Sequence, residues 1–415
     1  MKLTQALWNQ HLGRMIKRNW FAHGKQILGD TLTETALASK GIEITDAQEF
    51  LKKPHAFPRI DPDELFSGCV VRRPLSKDED HPDWKKRPCM RHNNYDLLVQ
   101  GVDQAQLLTK TLIVKNALPD EVENLVEDTT EELDNLLTKI IYSSSIFDAQ
   151  QVKLPKKKDP LRPAWIFARD YGINDVRKSY HLAQKMIQVC ESLCGLELAQ
   201  ERQIIHNGLV QLSLEKENEL LIFNSTMDML MMSTKGLKPM ESDKDISHAT
   251  FPDIYPLSPV ISLHSDHFYQ VVDSFPVSKE SPFANSHTLF VIHDCEKVKN
   301  FTELPVTENQ LLARSLTKSF IAAAACAKQK FGNDVKDLPE PITIQCVQTN
   351  GRTFHLSVFQ LNTLNIDGID GKCNLWWSMP QLNLYEKAEY ENSKPIVTNY
   401  NPEVFKRILA FYKNN

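Results

Sequence analysis

Residues 342–361 leave this chain little conformational freedom. Two runs rich in β-branched and aromatic residues, 342–348 and 352–361, flank the tripeptide Thr349-Asn350-Gly351. Asn and Gly tolerate the positive φ that a tight turn needs, so the two runs predict an antiparallel strand pair. Such a pair must bury its apolar face against another layer. The sequence just upstream supplies one: Thr307 is placed to N-cap a helix carrying Leu312, Leu316, Phe320, Ala323, Ala324, Ala327 and Phe331 on one face, and Gly332 can end it. Its alanines permit close approach to a sheet. Two further helices follow from spacing. Val176, Tyr180, Ala183, Ile187, Cys190 and Cys194 recur at steps of three and four, which makes the two cysteines core packing. Near the end, Asn401 as N-cap, Pro402 at the first helical position and Glu403 beside the positive helix end precede the apolar face of Val404, Phe405, Ile408, Leu409 and Tyr412. The fold class expected is α+β: a mixed or antiparallel sheet with a strong C-terminal β-hairpin, packed by helices, plus a helical N-terminal half and an extended Pro-rich arm.

Charge and proline divide the chain. Residues 1–29 hold Lys2, Arg14, Lys17, Arg18 and Lys25 but no acid until Asp30, while Leu3, Leu7, Leu12, Met15 and Ile16 recur at helical steps. A basic amphipathic stretch of this kind predicts a mitochondrial transit peptide. Its removal would take the net charge from −5 to −10, so any nucleic-acid contact must run through local basic patches. Residues 30–94, interrupted by Pro54, Pro58, Pro62, Pro74, Pro82 and Pro88, predict an extended arm. A helical segment is expected over 95–152. Leu97, Leu98, Val102, Ala105, Leu108 and Leu112 form its first face, and Pro119 opens an acidic second stretch through Leu125, Leu133, Leu136, Leu137 and Ile140. The eight acids from Asp120 to Asp134 read as a solvated or partner-facing surface. A basic linker, KLPKKKDPLRP at 153–163, leads to an α+β core domain at 164–415.

The sequence excludes more chemistry than it suggests. Glycine is scarce, 14 of 415 residues against the usual ~7%, which disfavours Gly-rich phosphate loops. The longest apolar run, 320–327, is far too short to span a bilayer. The eight cysteines form no Cys-x-x-Cys pair, which fits a reducing interior. No paired-carboxylate, HExxH, GxGxxG or G-x-S-x-G signature is present, so neither catalytic residues, nor a cofactor, nor a small-molecule substrate is expected. The strongest rival is a soluble matrix metal-dependent hydrolase. It would use His264, Asp266 and His267 with His287 or His293 as a further ligand, although in an extended segment positions 264 and 267 face opposite ways. A free regulatory module without RNA is a third reading. The stretch 365–373, NIDGIDGKC, lacks both calcium-loop and phosphate-loop spacing and reads as a turn. The RNA-contact candidates are Lys156, Lys157, Lys158 and Arg162, in a segment from 151 to 180 with eight bases against three acids, and the earlier cluster Arg72, Arg73, Lys85, Lys86 and Arg87. Cations on Pro-rich backbone suit phosphate contact without base reading.

Four segments carry a family resemblance: LLVQGVDQAQLLTKT from Leu97, YPLSPVISLH from Tyr255, HTLFVIHD from His287, and FGNDVKDLPEPITIQCVQTNGRTFHLSVFQLNTLNID from Phe331. The chain resembles the mitoribosomal family that holds the large-subunit protein numbered thirty-seven and a second protein also called programmed cell death protein nine. The resemblance runs from about residue 80 to the C-terminus and is densest after Tyr255. It implies a non-catalytic matrix protein of the mitochondrial ribosome's large subunit, supporting mitochondrial translation in contact with large-subunit rRNA and neighbouring mitoribosomal proteins.

Overall fold

The computed structural model describes residues 31–44, 88–147, 150–154, 156, 161–162, 164–165, 167–241, 250–267, 273–301, 304–392 and 394–415. The chain divides into two compact units, Met1–Leu75 and Ser76–Asn415. In the first, the described residues hold helix α1 (Leu32–Ala38), closed by a capping box in which Thr31 and Glu34 satisfy each other's backbone N–H groups. The proposed leader, 1–29, lies outside the described residues, as do 45–87 of the Pro-rich arm.

In the second unit the elements run β1 (Pro88–Asn93), α2 (Val102–Thr109), β2 (Thr111–Lys115), α3 (Asp120–Glu123) and α4 (Glu131–Ser145). A short hairpin, β3 (Val152–Lys153) and β4 (Tyr171–Gly172), precedes α5 (Asp175–Gln200). Then come the long strands β5 (Arg202–Lys216) and β6 (Glu219–Ser233), followed by β7 (His264–His267), β8 (Asn285–Ile292) and α6 (Glu308–Phe331). The C-terminal part holds β9 (Asp337–Thr349), β10 (Thr353–Thr363), β11 (Asn374–Ser378), β12 (Leu382–Asn383), β13 (Lys387–Glu391), β14 (Lys394–Thr398) and α7 (Glu403–Lys413).

Among the described residues one ten-stranded mixed sheet dominates, in the order β2-β11-β10-β9-β8-β6-β1-β7, with β5 on β6 and β12 on β10. The expected hairpin is its centre: β9 and β10 pair antiparallel from Phe354↔Thr349 to Leu361↔Ile342. Its turn shows why these residues are needed. Asn350 Oδ1 accepts from the N–H groups of Arg352 and Thr353 at 3.0 and 2.8 Å, and Thr349 Oγ1 accepts from Gly351 at 2.9 Å. Gly351 sits at φ +89°, where a Cβ would also stand 2.8 Å from Ser179 Oγ of α5.

Side-chain alternation sends each strand to two cores. Ile344, Cys346, Phe359, Leu361 and Trp376 face α2 and α6, whereas Val347, Leu356, Val358, Leu375 and Trp377 face α4, α5 and α7. The result is a helix–sheet–helix sandwich of the α+β class. Helix α6 crosses between the parallel neighbours β8 and β9 and keeps its predicted caps, with Thr307 Oγ1 accepting from Gln310 N at 3.3 Å and Gly332 ending it at φ +98°.

Two expected helices come out differently. The periodic stripe from Leu97 to Leu112 is cut twice. Gly101 at φ +61° packs against Asn309, and Lys110 in the left-handed region ends α2, so the run Thr111-Leu112-Ile113-Val114, three of its four residues β-branched, becomes strand β2 beside β11. The acidic stretch likewise splits into α3 and α4, the latter N-capped by Thr130. Cys190 is buried in the core as its spacing predicts and Cys194 packs half-buried beside it.

Candidate nucleic-acid interface

Strands β3 and β4 pair antiparallel, Val152 opposite Gly172 and Lys153 opposite Tyr171. Leu154 N donates to Asp170 O at 2.9 Å, and Arg169 Nε donates back to Leu154 O at 3.1 Å. The Leu154 side chain packs close over Gly172, where a Cβ would meet Leu154 Cδ1 at 2.8 Å. These contacts tie residues 152–154 to 169–172 on the protein surface, and the described residues of this segment form a small arch. Lys153, Lys156, Arg162 and Arg169 are all exposed on it. Lys157 and Lys158 lie outside the described residues, as do Arg72, Arg73, Lys85, Lys86 and Arg87.

The cations do not stand alone. Trp165 is 61% exposed, Tyr171 67% and Phe167 36%. The Arg162 guanidinium lies 4.8 Å from the centre of the Trp165 ring, and the Trp165 and Phe167 rings are 6.3 Å apart at 46°. Directly opposed strand residues project to one face, so Lys153 and Tyr171 present a charge beside a ring. Three exposed aromatics among four exposed cations form the pattern that grips phosphate and base together. Charge counting over 151–180 found the basic residues and passed over the rings. The signal was there: a Trp and a Phe two apart in a Pro-rich basic segment have no core to enter.

The histidine cluster is arranged for other work. Strand β7 pairs antiparallel with β1, and Asp266 is held by Arg91 at 2.7 Å. His264 Nε2 lies 3.3 Å from Asp96, with its ring edge-on to Phe301 at 5.4 Å. His287 is fully buried elsewhere, against Thr288 and the Asn414 carbonyl. Among the described residues no three His, Cys, Asp or Glu side chains group as metal ligands do. The NIDGIDGKC turn is likewise occupied by lysines. Lys216 Nζ donates to Ile366 O at 2.6 Å and Lys110 Nζ to Asp367 O at 2.9 Å, while Asp367 Oδ1 accepts from Glu217 N at 2.6 Å.

Comparison with known proteins finds similarity to mitochondrial ribosomal proteins. A family model described as "Mitochondrial 28S ribosomal protein S30 (PDCD9)" matches residues 299–415, from just before α6 through α7. Proteins named "Large ribosomal subunit protein mL37" match far more of the chain. The one from Gallus gallus is 29% identical over 371 residues, covering 86% of this chain and 81% of its own. Those from Rattus norvegicus and Bos taurus are 28% and 25% identical over 352 and 370 residues. The chain is similar to mL37 proteins along most of its length. The two names concern different subunits, and coverage separates them: the family model spans only the C-terminal hairpin region, whereas the mL37 alignments extend over about four-fifths of both partners. The mL37 relatives are named for a ribosomal subunit and not for a reaction.

Proposed function

We propose that the chain is a non-catalytic constituent of the large subunit of the mitochondrial ribosome, supporting mitochondrial translation from the matrix, and that the β3–β4 arch is one of its contacts with rRNA phosphates. The observation that carries the ribosomal reading is the match to mL37 proteins along most of both chains. The basic leader at 1–29 supports import. An acidic protein of net charge −5 that approaches RNA must do so through a restricted cationic surface, and the arch is such a surface.

Sedimentation of detergent-lysed mitochondria through a sucrose gradient tests this. The chain is expected to travel with the large subunit, to stay with it when magnesium chelation separates the subunits, and to leave it when RNA is digested. A Lys156→Glu/Arg162→Glu variant should leave the subunit at lower salt than the parent, because fewer counterions are released on binding. A chain that stays at the top of the gradient throughout would end the ribosomal reading, and unchanged salt resistance of the variant would remove the arch from it.

A further inference from the structure

We infer that the β3–β4 arch is a stacking platform for unpaired RNA bases, and not only an electrostatic tether. This deepens the ribosomal reading above and rests on it. Phosphate anchoring needs cations alone; it gives no reason for large rings in water. The arch nevertheless exposes most of the Trp165 and Tyr171 side chains and a third of Phe167, on a hairpin whose backbone is held by the Leu154–Asp170 and Arg169–Leu154 hydrogen bonds. The placement is chemically specific. Arg162 lies against the Trp165 ring, so a base stacked at Trp165 would have a guanidinium within reach of its phosphate. Lys153 opposes Tyr171 across the strands and repeats the pairing of ring with cation a few residues away.

The geometry selects among RNA forms. Side chains cannot read the deep, narrow major groove of an A-form duplex, whereas loops, bulges and ends splay bases that aromatic rings can hold. Every base has a π face, so a platform of this kind is tolerant of sequence and sensitive to strandedness. The ligand class assigned to the arch is therefore a single-stranded or bulged RNA segment, its phosphates meeting Lys153, Lys156, Arg162 and Arg169. A protein partner fits less well, because four exposed cations around the rings would need matching acids on the other surface.

The test uses the purified full-length chain and fluorescein-labelled oligoribonucleotides followed by anisotropy. A short single strand should bind about tenfold or more tightly than the duplex of the same length. Trp165→Ala/Tyr171→Ala should lose about tenfold or more for the single strand while keeping the parent's dependence on salt, since no charge is removed; Trp165→Phe should restore part of the loss. Both positions are exposed, so the substitutions leave the core untouched. Equal affinity for single strand and duplex, or an aromatic variant that binds like the parent, would overturn the platform. So would photo-cross-linking from position 165 in the assembled particle to a protein instead of RNA. The gradient experiment reports on the ribosomal reading separately: a chain that sediments with the large subunit but shows no aromatic dependence loses the platform alone.

Discussion

His287 illustrates how much one buried side chain can impose. A carbonyl oxygen only accepts, so the 2.8 Å contact with Asn414 O places the ring proton on Nε2, and Nδ1 then accepts from the Thr288 hydroxyl. Burial, with the nearby Arg202 adding to it, pushes its pKa down to about 3. His355, hydrogen-bonded through Nε2 to Ser378 Oγ at 2.8 Å, is pushed down to about 4 by burial alone. Both rings are neutral in the folded chain and take up a proton near pH ~6.5 once unfolded. Their contribution to stability is therefore complete above about pH 6.5 and is lost as the pH falls toward the folded values, at about 1.4 kcal/mol per pH unit for each ring. Urea midpoints measured between pH 7 and pH 4 should fall accordingly, and His355→Gln should flatten the decline. A variant with the parent's slope would show that this ring is not held neutral by the fold.

Helix α6 shows the same dependence on context one level up. Its alanine run gives high helix propensity with little side-chain volume, and both matter because Ala322 through Ala327 are all buried between the sheet and its covering elements. Two of the hydroxyls that share this burial bond within the helix: Ser319 Oγ donates to Ser315 O and Thr317 Oγ1 to Ala313 O, each at 2.8 Å. Ala323→Leu should overpack this layer and cost about 1–3 kcal/mol in chemical denaturation. Thr307→Ala, which removes only the cap, should cost about 1 kcal/mol. The order of the two is the informative part, and an Ala323→Leu chain as stable as the parent would mean the layer is loose. The acidic stretch acquires its meaning from another element in the same way. Lys406, Arg407 and Lys413 of α7 pair with Asp128, Glu123 and Glu127 at 2.8, 3.3 and 2.6 Å. Part of what reads as a partner-facing surface is thus a docking site for the chain's own last helix.

At the scale of the whole second unit, α7 closes the second core. Val404, Phe405, Ile408, Phe411 and Tyr412 are buried with Val358, Trp377 and Ile187, and the end of the helix is tied to the sheet. Arg202 Nη2 and His287 Nε2 donate to Asn414 O, and Gln345 Nε2 donates to Phe411 O. A chain ended after Tyr400 would uncover the α7 side of the second core, take the Nε2 acceptor from His287 and leave Gln345 only Thr288 as a side-chain partner, so it should lose its near-ultraviolet circular dichroism and its cooperative melt. A truncated chain that still melts cooperatively near the parent's temperature would show that α7 is peripheral to folding. The basic arch, by contrast, stands on the surface, and its substitutions should change binding and leave the melt where it is.

Local chemistry was enough to place the β9–β10 hairpin, the caps of α6 and the apolar face of α7, because turn residues, capping side chains and helical spacing act within a few residues of where they stand. The absence of catalytic spacing and the position of the basic segment were legible for the same reason. What tertiary structure decided is of longer range. Leu112 continues a helical stripe by spacing yet lies in a strand, since Gly101 and Lys110 adopt positive φ and β11 offers a parallel partner. His264 and Asp266 look like ligands in sequence and are held instead by Asp96 and Arg91. Trp165 and Tyr171 stand exposed in a cationic segment whose ends the β3–β4 pairing joins. Spacing along a chain specifies which side chains can share a face, and only the packing of distant elements determines whether that face meets a core, an ion or RNA.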